Sequence, residues 1–369
     1  MSRPACGGTL LMMLFLPLLS AAGDACAESL PEPQPDSQAA SAPVFQKGMS
    51  FAHGYRPHND LLSPGSQNAL QYLRQQVHVE WIALNPFSYQ RAVNDPGLYF
   101  GGDPPDAHLV HAIAQAHDMG LRVMLKPHIW LREKSDDAWR GNISMTSEHD
   151  WEIWFENYER FILHYARIAE VEQVDIFCIG VELARTMKER EQNWRTLIGR
   201  IREIYHGPLT YAANWWGEYD EIHIWDALDY VGVNAFFPLS DSATPNLEAL
   251  RAGVHRVADQ VQLVHQATRR PVIFTEVGFK SVRGSTVKPW QWAGPINPPV
   301  DLELQARAYQ AMLEVLWERP WFYGMYWWKW HSHTGHGGSA DGDFSPRGKP
   351  AEKTLSQWYQ RHPFGMLPR

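Results

Sequence analysis

Glu182 and Glu276 are the residues of this chain whose type and position best fit them for chemistry. Each ends an apolar run, VDIFCIGVELA and RPVIFTEVGF, of the kind that a parallel sheet buries on both faces. A glutamate is rarely buried without a partner, so both carboxyl groups are expected to face a cleft. Across a cleft they could act as the acid and the nucleophile or base of glycosidic bond hydrolysis. A salt bridge beneath a loop is the alternative for either one.

The elements that must position these glutamates alternate between short apolar runs and longer helical patterns. This alternation predicts a single-domain α/β fold, a (β/α)8 TIM barrel. An open, doubly wound sheet is the alternative, but no glycine-rich nucleotide motif follows any strand. Strands are predicted at 47–53, 79–85, 122–128, 175–181, 209–213, 230–234, 272–276 and 324–328, and helices at 67–76, 107–119, 151–169, 192–205, 247–266 and 302–317.

The predicted strands end in polar and aromatic residues, which a barrel gathers at the end where active sites lie. The irregular segment 280–299 follows Glu276 directly and holds Trp290 and Trp292, so it is read as a substrate-binding wall rather than a mere connection. The candidate substrate-binding residues are His53, Asn85, Lys126, His128, Asn214, Trp215, Asn234, Phe236, Trp290, Trp328 and Lys329.

Composition points to a carbohydrate partner. The 369 residues include 17 Trp, and indole rings commonly stack on the C–H faces of sugars, although many of these residues must simply fill the core. The net charge of -8 and the lack of basic stripes argue against nucleic acid. An oligo- or polysaccharide is therefore the expected substrate, and a monomer is the expected state.

Residues 1–27 have the pattern of a signal peptide, with Arg3 before an apolar run and an A-x-A site ending at Ala27. We therefore predict a secreted or periplasmic protein without stable membrane insertion. The alternative interpretation of this segment is a lipoprotein signal with a lipid-modified Cys26. Residues 28–44 read as a flexible linker and 45–369 as the catalytic barrel. Cys178 is then the one cysteine left in the mature chain, in an apolar strand that predicts a buried, inert thiol.

Three histidines, His331, His333 and His336, follow the last predicted strand in a glycine-rich stretch. Their H-x-H-x-x-H spacing fits no well-known zinc motif, so a rim loop is favoured over a metal site. We therefore expect neither metal nor cofactor.

The motifs at these positions resemble glycoside hydrolase family 113, within clan A of the glycoside hydrolases. The similarity runs from KGMSFAHGY through VMLKPHIW, IGVELA, YAANWW, DYVGVNAFFPL and FTEVGF to FSPRGKPA. The resemblance implies a retaining β-glycosidase of β-mannanase type. It makes Glu182 the acid/base and Glu276 the nucleophile.

Two residues depart from the pattern of similar sequences. Val181 stands where many clan A members have an asparagine that holds the sugar 2-hydroxyl, so Asn214 or His128 would have to serve instead. Phe236 stands where a tyrosine often supports the nucleophile, and a phenyl ring donates no hydrogen bond. A non-hydrolytic carbohydrate-binding barrel of the cell envelope is therefore kept as the alternative function, and a glycan transferase as a third.

Overall fold

Eight parallel strands close into a barrel at the centre of the computed structural model, in chain order around the ring. The (β/α)8 barrel predicted from the sequence is confirmed. The structure describes residues 45–54, 56, 60–133, 138–291 and 298–362, so the predicted signal peptide and linker lie outside the described residues. The barrel strands are β1 (Gln46–Ala52), β2 (Trp81–Leu84), β3 (Arg122–Leu125), β4 (Ile176–Val181), β5 (Leu209–Asn214), β6 (Val231–Asn234), β7 (Val272–Val277) and β8 (Phe322–His331).

Helices follow the strands and cover the outside of the ring. Six of them match predicted helices, whereas α4 and α8 were not predicted. The first is too short to show a helical period, and the second follows a long glycine-rich loop. Gly120 ends α2 with a φ of 72°, a conformation that favours glycine. The helices are α1 (Pro64–Tyr72), α2 (Asp106–Asp118), α3 (Glu148–Val171), α4 (Ala184–Glu189), α5 (Glu191–Arg202), α6 (Leu247–Thr268), α7 (Leu302–Leu316) and α8 (Pro350–Tyr359).

The second and third predicted strands end earlier than expected. Pro86 and Pro127 follow β2 and β3 closely, and proline cannot donate to a strand ladder. Beyond the prolines the chain forms a separate small sheet of Phe87–Gln90, Leu98–Tyr99 and His128–Leu131, in which Phe87 pairs with His128. The sequence predicted His128 at the end of the third barrel strand. This prediction is wrong, because His128 lies on the small sheet beyond Pro127.

The barrel has two hydrophobic cores. The larger lies between the strands and the helices, and a smaller one fills the inside of the barrel with residues in or beside the strands. One interior cluster joins Trp81, Met124, Ile176, Ile273 and Tyr326 with two neighbours. Such a filled interior leaves the ends of the strands as the place for a site. Cys178 is a buried free thiol, as predicted, and burial raises its pKa to about 11. Within the described residues, no helix has the length and apolar character needed to cross a bilayer.

Candidate active site

A cavity of about 1060 Å3 opens where the barrel strands end. All the residues predicted for the site line it except Lys126 and Asn234, which are buried. Trp292, named with Trp290 as part of a substrate wall, lies outside the described residues. The lining residues that had been predicted are His53, Asn85, His128, Glu182, Asn214, Trp215, Phe236, Glu276, Trp290, Trp328 and Lys329.

Glu276 lies near the end of β7 and forms an ion pair with Lys126. The ammonium Nζ of Lys126 is 2.5 Å from Oε1 of Glu276 and also donates to the carbonyl of Thr275 at 3.2 Å. Lys126 is fully buried and Glu276 is 5% exposed, so this charge pair has little contact with solvent. Burial raises the pKa of Glu276, and the Lys126 ammonium works in the opposite direction. The lysine therefore helps to keep the carboxylate ionised.

His128 stands beside this pair as a neutral imidazole. Burial, together with the charges of Lys126 and Arg140, holds its pKa well below the usual value. Arg140 donates to Nδ1 of His128 at 3.4 Å, which places the ring hydrogen on Nε2. That Nε2 lies 3.7 Å from Oε1 of Glu276 and has no hydrogen-bond partner within the described residues. A donor is thus available next to Glu276.

Glu182 follows β4 with a φ of 51°, in the left-handed region that a glutamate seldom adopts. Nδ2 of Asn234 donates to its Oε1 at 3.0 Å, and Oδ1 of Asn234 accepts a bond from Thr275 at 2.9 Å. Since Thr275 precedes Glu276, the amide of Asn234 connects the surroundings of the two carboxyl groups. Asn234 is fully buried and does not line the cavity, so its role is to hold the Glu182 carboxyl group in position.

Arg140 and Trp139 contact the other oxygen of Glu182, and sequence reasoning missed both. Nη1 of Arg140 is 3.5 Å and Nε1 of Trp139 is 3.4 Å from Oε2. These residues lie in and next to a short 3-10 turn, Arg140–Asn142, far from any strand end. Nothing in their spacing marks them, because the loop that carries them reaches the site only in the folded chain.

A second missed carboxyl, Glu218, holds the loop after β5. It is fully buried and accepts bonds from the hydroxyl of Tyr211 and from the backbone N–H of Asn214, the latter at 2.6 Å. The same Tyr211 hydroxyl accepts from the N–H of Leu183 at 2.6 Å. Burial raises the pKa of Glu218 to about 8. The network fixes the residue that follows Glu182.

Aromatic side chains form the walls of the cavity. Phe236, Trp328 and Phe344 make one apolar cluster, with Trp215 packed against it. The ring of Trp290 lies 4.9 Å from that of Trp215 and is 40% exposed. Trp290 thus belongs to the cavity wall, as predicted for this part of segment 280–299. Lys329 lies over the Trp328 ring at 5.2 Å, and burial lowers the pKa of its ammonium group. The cavity thus combines flat apolar faces with a few polar groups, as sugar sites require.

Residues that follow the first two barrel strands also line the cavity. Nε2 of His53 is 3.0 Å from Oδ1 of Asp103, a residue without any strand-end signal. Oδ1 of Asn85 is buried without a hydrogen-bond partner among the residues described, so it can accept from a ligand.

Comparison with known proteins identifies the family of this chain. A family model described as Glycoside Hydrolase Family 113 matches residues 49–349, which is more than half of the chain. The chain belongs to glycoside hydrolase family 113. The resemblance inferred from the motifs is therefore confirmed, and the protein is a glycoside hydrolase. Among curated protein sequences, none matches the chain.

Solved structures agree with membership of family 113. A family 113 β-1,4-mannanase is 27% identical with a TM-score of 0.76, and the alignment covers 86% of this chain and 100% of the other. A β-mannanase of the family from Alicyclobacillus acidocaldarius, in complex with ManMIm, is 30% identical with a TM-score of 0.75, covering 86% and 97%. A β-glucuronidase from Faecalibacterium prausnitzii, at 15% identity and a TM-score of 0.60 over 88% of this chain and 50% of the other, shares the fold alone.

Proposed function

We propose that this protein is an exported, retaining β-glycoside hydrolase that acts on β-mannan or a related β-linked glycan. The observation that carries the proposal is one aromatic-walled cavity that holds two differently supported glutamates. Glu276 is paired with the buried Lys126, and Glu182 is held by Asn234, Arg140 and Trp139. Two carboxyl groups in different environments are what an acid and a nucleophile need. The solved mannanases of the same family support β-mannan as the substrate, and the pattern of residues 1–27 supports export.

Double displacement assigns a role to each glutamate. In the first step the Glu276 carboxylate bonds to the anomeric carbon, the glycosidic C–O bond breaks, and Glu182 gives its proton to the leaving oxygen. In the second step Glu182 takes a proton from water, the water oxygen bonds to the anomeric carbon, and the bond to Glu276 breaks. The Lys126 ammonium stabilises the carboxylate form that the first step needs.

His128, rather than Asn214, takes the place of the asparagine that Val181 replaces. The side-chain amide of Asn214 donates to the carbonyl of Trp216 at 3.0 Å. By contrast, Nε2 of His128 lies beside Glu276 without a hydrogen-bond partner in the described part of the chain. We therefore assign His128 as the donor to the sugar 2-hydroxyl. Lys126 supplies the support for Glu276 that Phe236, which has no hydroxyl group, does not give.

Product analysis on a glycan panel tests the proposal. The purified protein is incubated with mannan, glucomannan, cello-oligosaccharides and chito-oligosaccharides. Shorter β-linked manno-oligosaccharides are expected, with the product initially in the β-anomeric form by NMR. Binding to the panel without any turnover would instead favour the non-hydrolytic barrel, and products longer than the substrate would indicate a transferase.

Variants of the two glutamates separate their roles. Glu276→Ala is expected to lose several orders of magnitude in turnover on every substrate. Glu182→Ala should lose much less on an aryl glycoside whose leaving group needs no proton. Glu152→Ala, which removes an exposed carboxyl from α3, is the matched control. Near-normal turnover by Glu276→Ala would rule it out as the nucleophile.

A further inference from the structure

Three imidazole rings, which the sequence analysis assigned to a rim loop and not to a metal site, meet at the rim of the cavity. His331 ends β8, and His333 and His336 belong to the loop that follows. Their ring nitrogens lie within 4.8 Å of one another, and all three residues line the cavity. The His331 ring stacks on His336 with 3.7 Å between centroids, and the His333 ring lies edge-on to both.

The backbone of this loop produces the cluster, and the spacing of the histidines does not reveal it. Gly335 and Gly337 both have a φ of 112°, a conformation that side chains rarely allow. A Cβ on Gly337 would come within 2.4 Å of the carbonyl oxygen of Arg347. The N–H of Gly337 donates to Asp341 at 2.5 Å, and Lys349 holds the same carboxylate at 3.3 Å. The glycine conformations and the contacts of Asp341 therefore fix the turn that brings the His336 ring onto the His331 ring.

One imidazole nitrogen of the cluster is available to a ligand. Nε2 of His331 is shielded from solvent and has no hydrogen-bond partner among the described residues. An imidazole nitrogen without a hydrogen-bond partner can bind a metal ion. Lys329 and Arg347 oppose a cation here, whereas the carboxylate of Asp341 favours one.

We propose that His331, His333 and His336 bind a divalent transition-metal ion of the zinc type, leaving one coordination position open toward the cavity. Imidazole ligands suit zinc, copper and nickel, whereas calcium and magnesium prefer oxygen. Zn–N distances of about 2.0–2.1 Å put the nitrogens of a tetrahedral site about 3.4 Å apart. The stacked rings of His331 and His336 therefore have to turn about their side-chain bonds before both nitrogens point at one ion. The ion fastens the 332–349 loop to the rim and offers a contact for a sugar hydroxyl. It takes no part in the two displacement steps.

The test is direct metal binding by the full chain. The protein is stripped with a chelator and dialysed against Zn2+, and bound metal is counted by mass spectrometry. One tightly bound Zn2+ per chain is expected, with no comparable binding of Mg2+ or Ca2+. Zinc should raise the melting temperature, and Co2+ should give the visible absorption of a four-coordinate site.

Single substitutions locate the ion. His333→Ala and His336→Ala should each weaken Zn2+ binding at least about tenfold, because one ligand is lost from a three-ligand site. His149→Ala removes an exposed imidazole on α3 and is the control for weak surface binding. Zinc uptake that is absent, or that is equal in His336→Ala and the parent with both folded by circular dichroism, would overturn the proposal. The measurement involves no glycan, so it is independent of whether the proposed hydrolysis is correct.

Discussion

Lys126 and Glu276 form a buried ion pair in which each charge depends on the other for compensation. Removing one partner leaves a charge without compensation in a site that solvent hardly reaches. Lys126→Met and Glu276→Gln should therefore each lower the free energy of unfolding by about 3–5 kcal/mol, and the double variant should recover much of the loss. Urea unfolding measures all three.

A control for this pair exists on the surface. Lys188→Met breaks a solvent-exposed pair with Glu221 and should change stability by less than about 1 kcal/mol. If the two losses at Lys126 and Glu276 simply added in the double variant, the two residues would not be coupled. Loss of the ammonium should also move the acidic limb of the activity profile to higher pH, because the pKa of Glu276 rises further without it.

His128 provides a second prediction for a single residue. If its Nε2 holds the sugar 2-hydroxyl, His128→Ala should lower kcat/KM about twofold to tenfold, the effect of one neutral hydrogen bond of about 0.5–1.5 kcal/mol. A 2-deoxy substrate lacks the hydroxyl and should show almost no difference between the parent and the variant. An equal loss on both substrates would contradict this role and indicate damage to the site.

At the scale of elements, the loop after β5 depends on the protonation of Glu218. Folding raises the pKa of this carboxyl from 4.5 to about 8, so between these values the folded state binds a proton that the unfolded state releases. Its contribution to the free energy of unfolding therefore falls as pH rises through this window, by up to about 1.4 kcal/mol per unit.

Glu218→Gln should flatten this dependence, since the amide does not titrate. The measurement is chemical unfolding of the parent and variant at several pH values across the window. Glu221→Gln, in the same turn but exposed to solvent, should leave the slope unchanged. A parent whose stability rises over that range relative to the Gln variant would contradict the sign.

The segment after β7 carries another prediction. The ring of Trp290 lies 4.9 Å from that of Trp215 on the wall of the cavity. Trp290→Ala should raise KM for long glycans by up to about tenfold and leave kcat nearly unchanged, because stacking acts on substrate and transition state alike. An aryl monosaccharide substrate, too short to reach the indole, serves as the comparison.

At the scale of the whole molecule, the fold begins shortly before β1. The family match starts at residue 49, and the described part of the barrel starts at Phe45. A chain that lacks residues 1–42 should therefore fold with the same melting temperature and the same kcat as the longer chain. A loss of stability in the shorter chain would show that the predicted signal and linker belong to the catalytic unit.

The sequence by itself determined the barrel and the two glutamates. Each barrel strand is a local apolar run, and Glu182 and Glu276 follow such runs directly, so short-range pattern was sufficient. The same rule located His53, Asn85 and the aromatic wall. It placed His128 on the wrong strand, because the pattern continues through Pro127 while the ladder does not.

Only the tertiary structure decided what surrounds those residues. Arg140, Asp103 and Glu218 reach the site or support it from loops and turns, where long-range packing sets the position of a side chain and no periodic pattern reports it. The three histidines at the rim come together for the same reason, through the glycine conformations of one loop. Strands are formed by local preference, whereas the partners of a buried charge are brought to it by the folding of the whole chain.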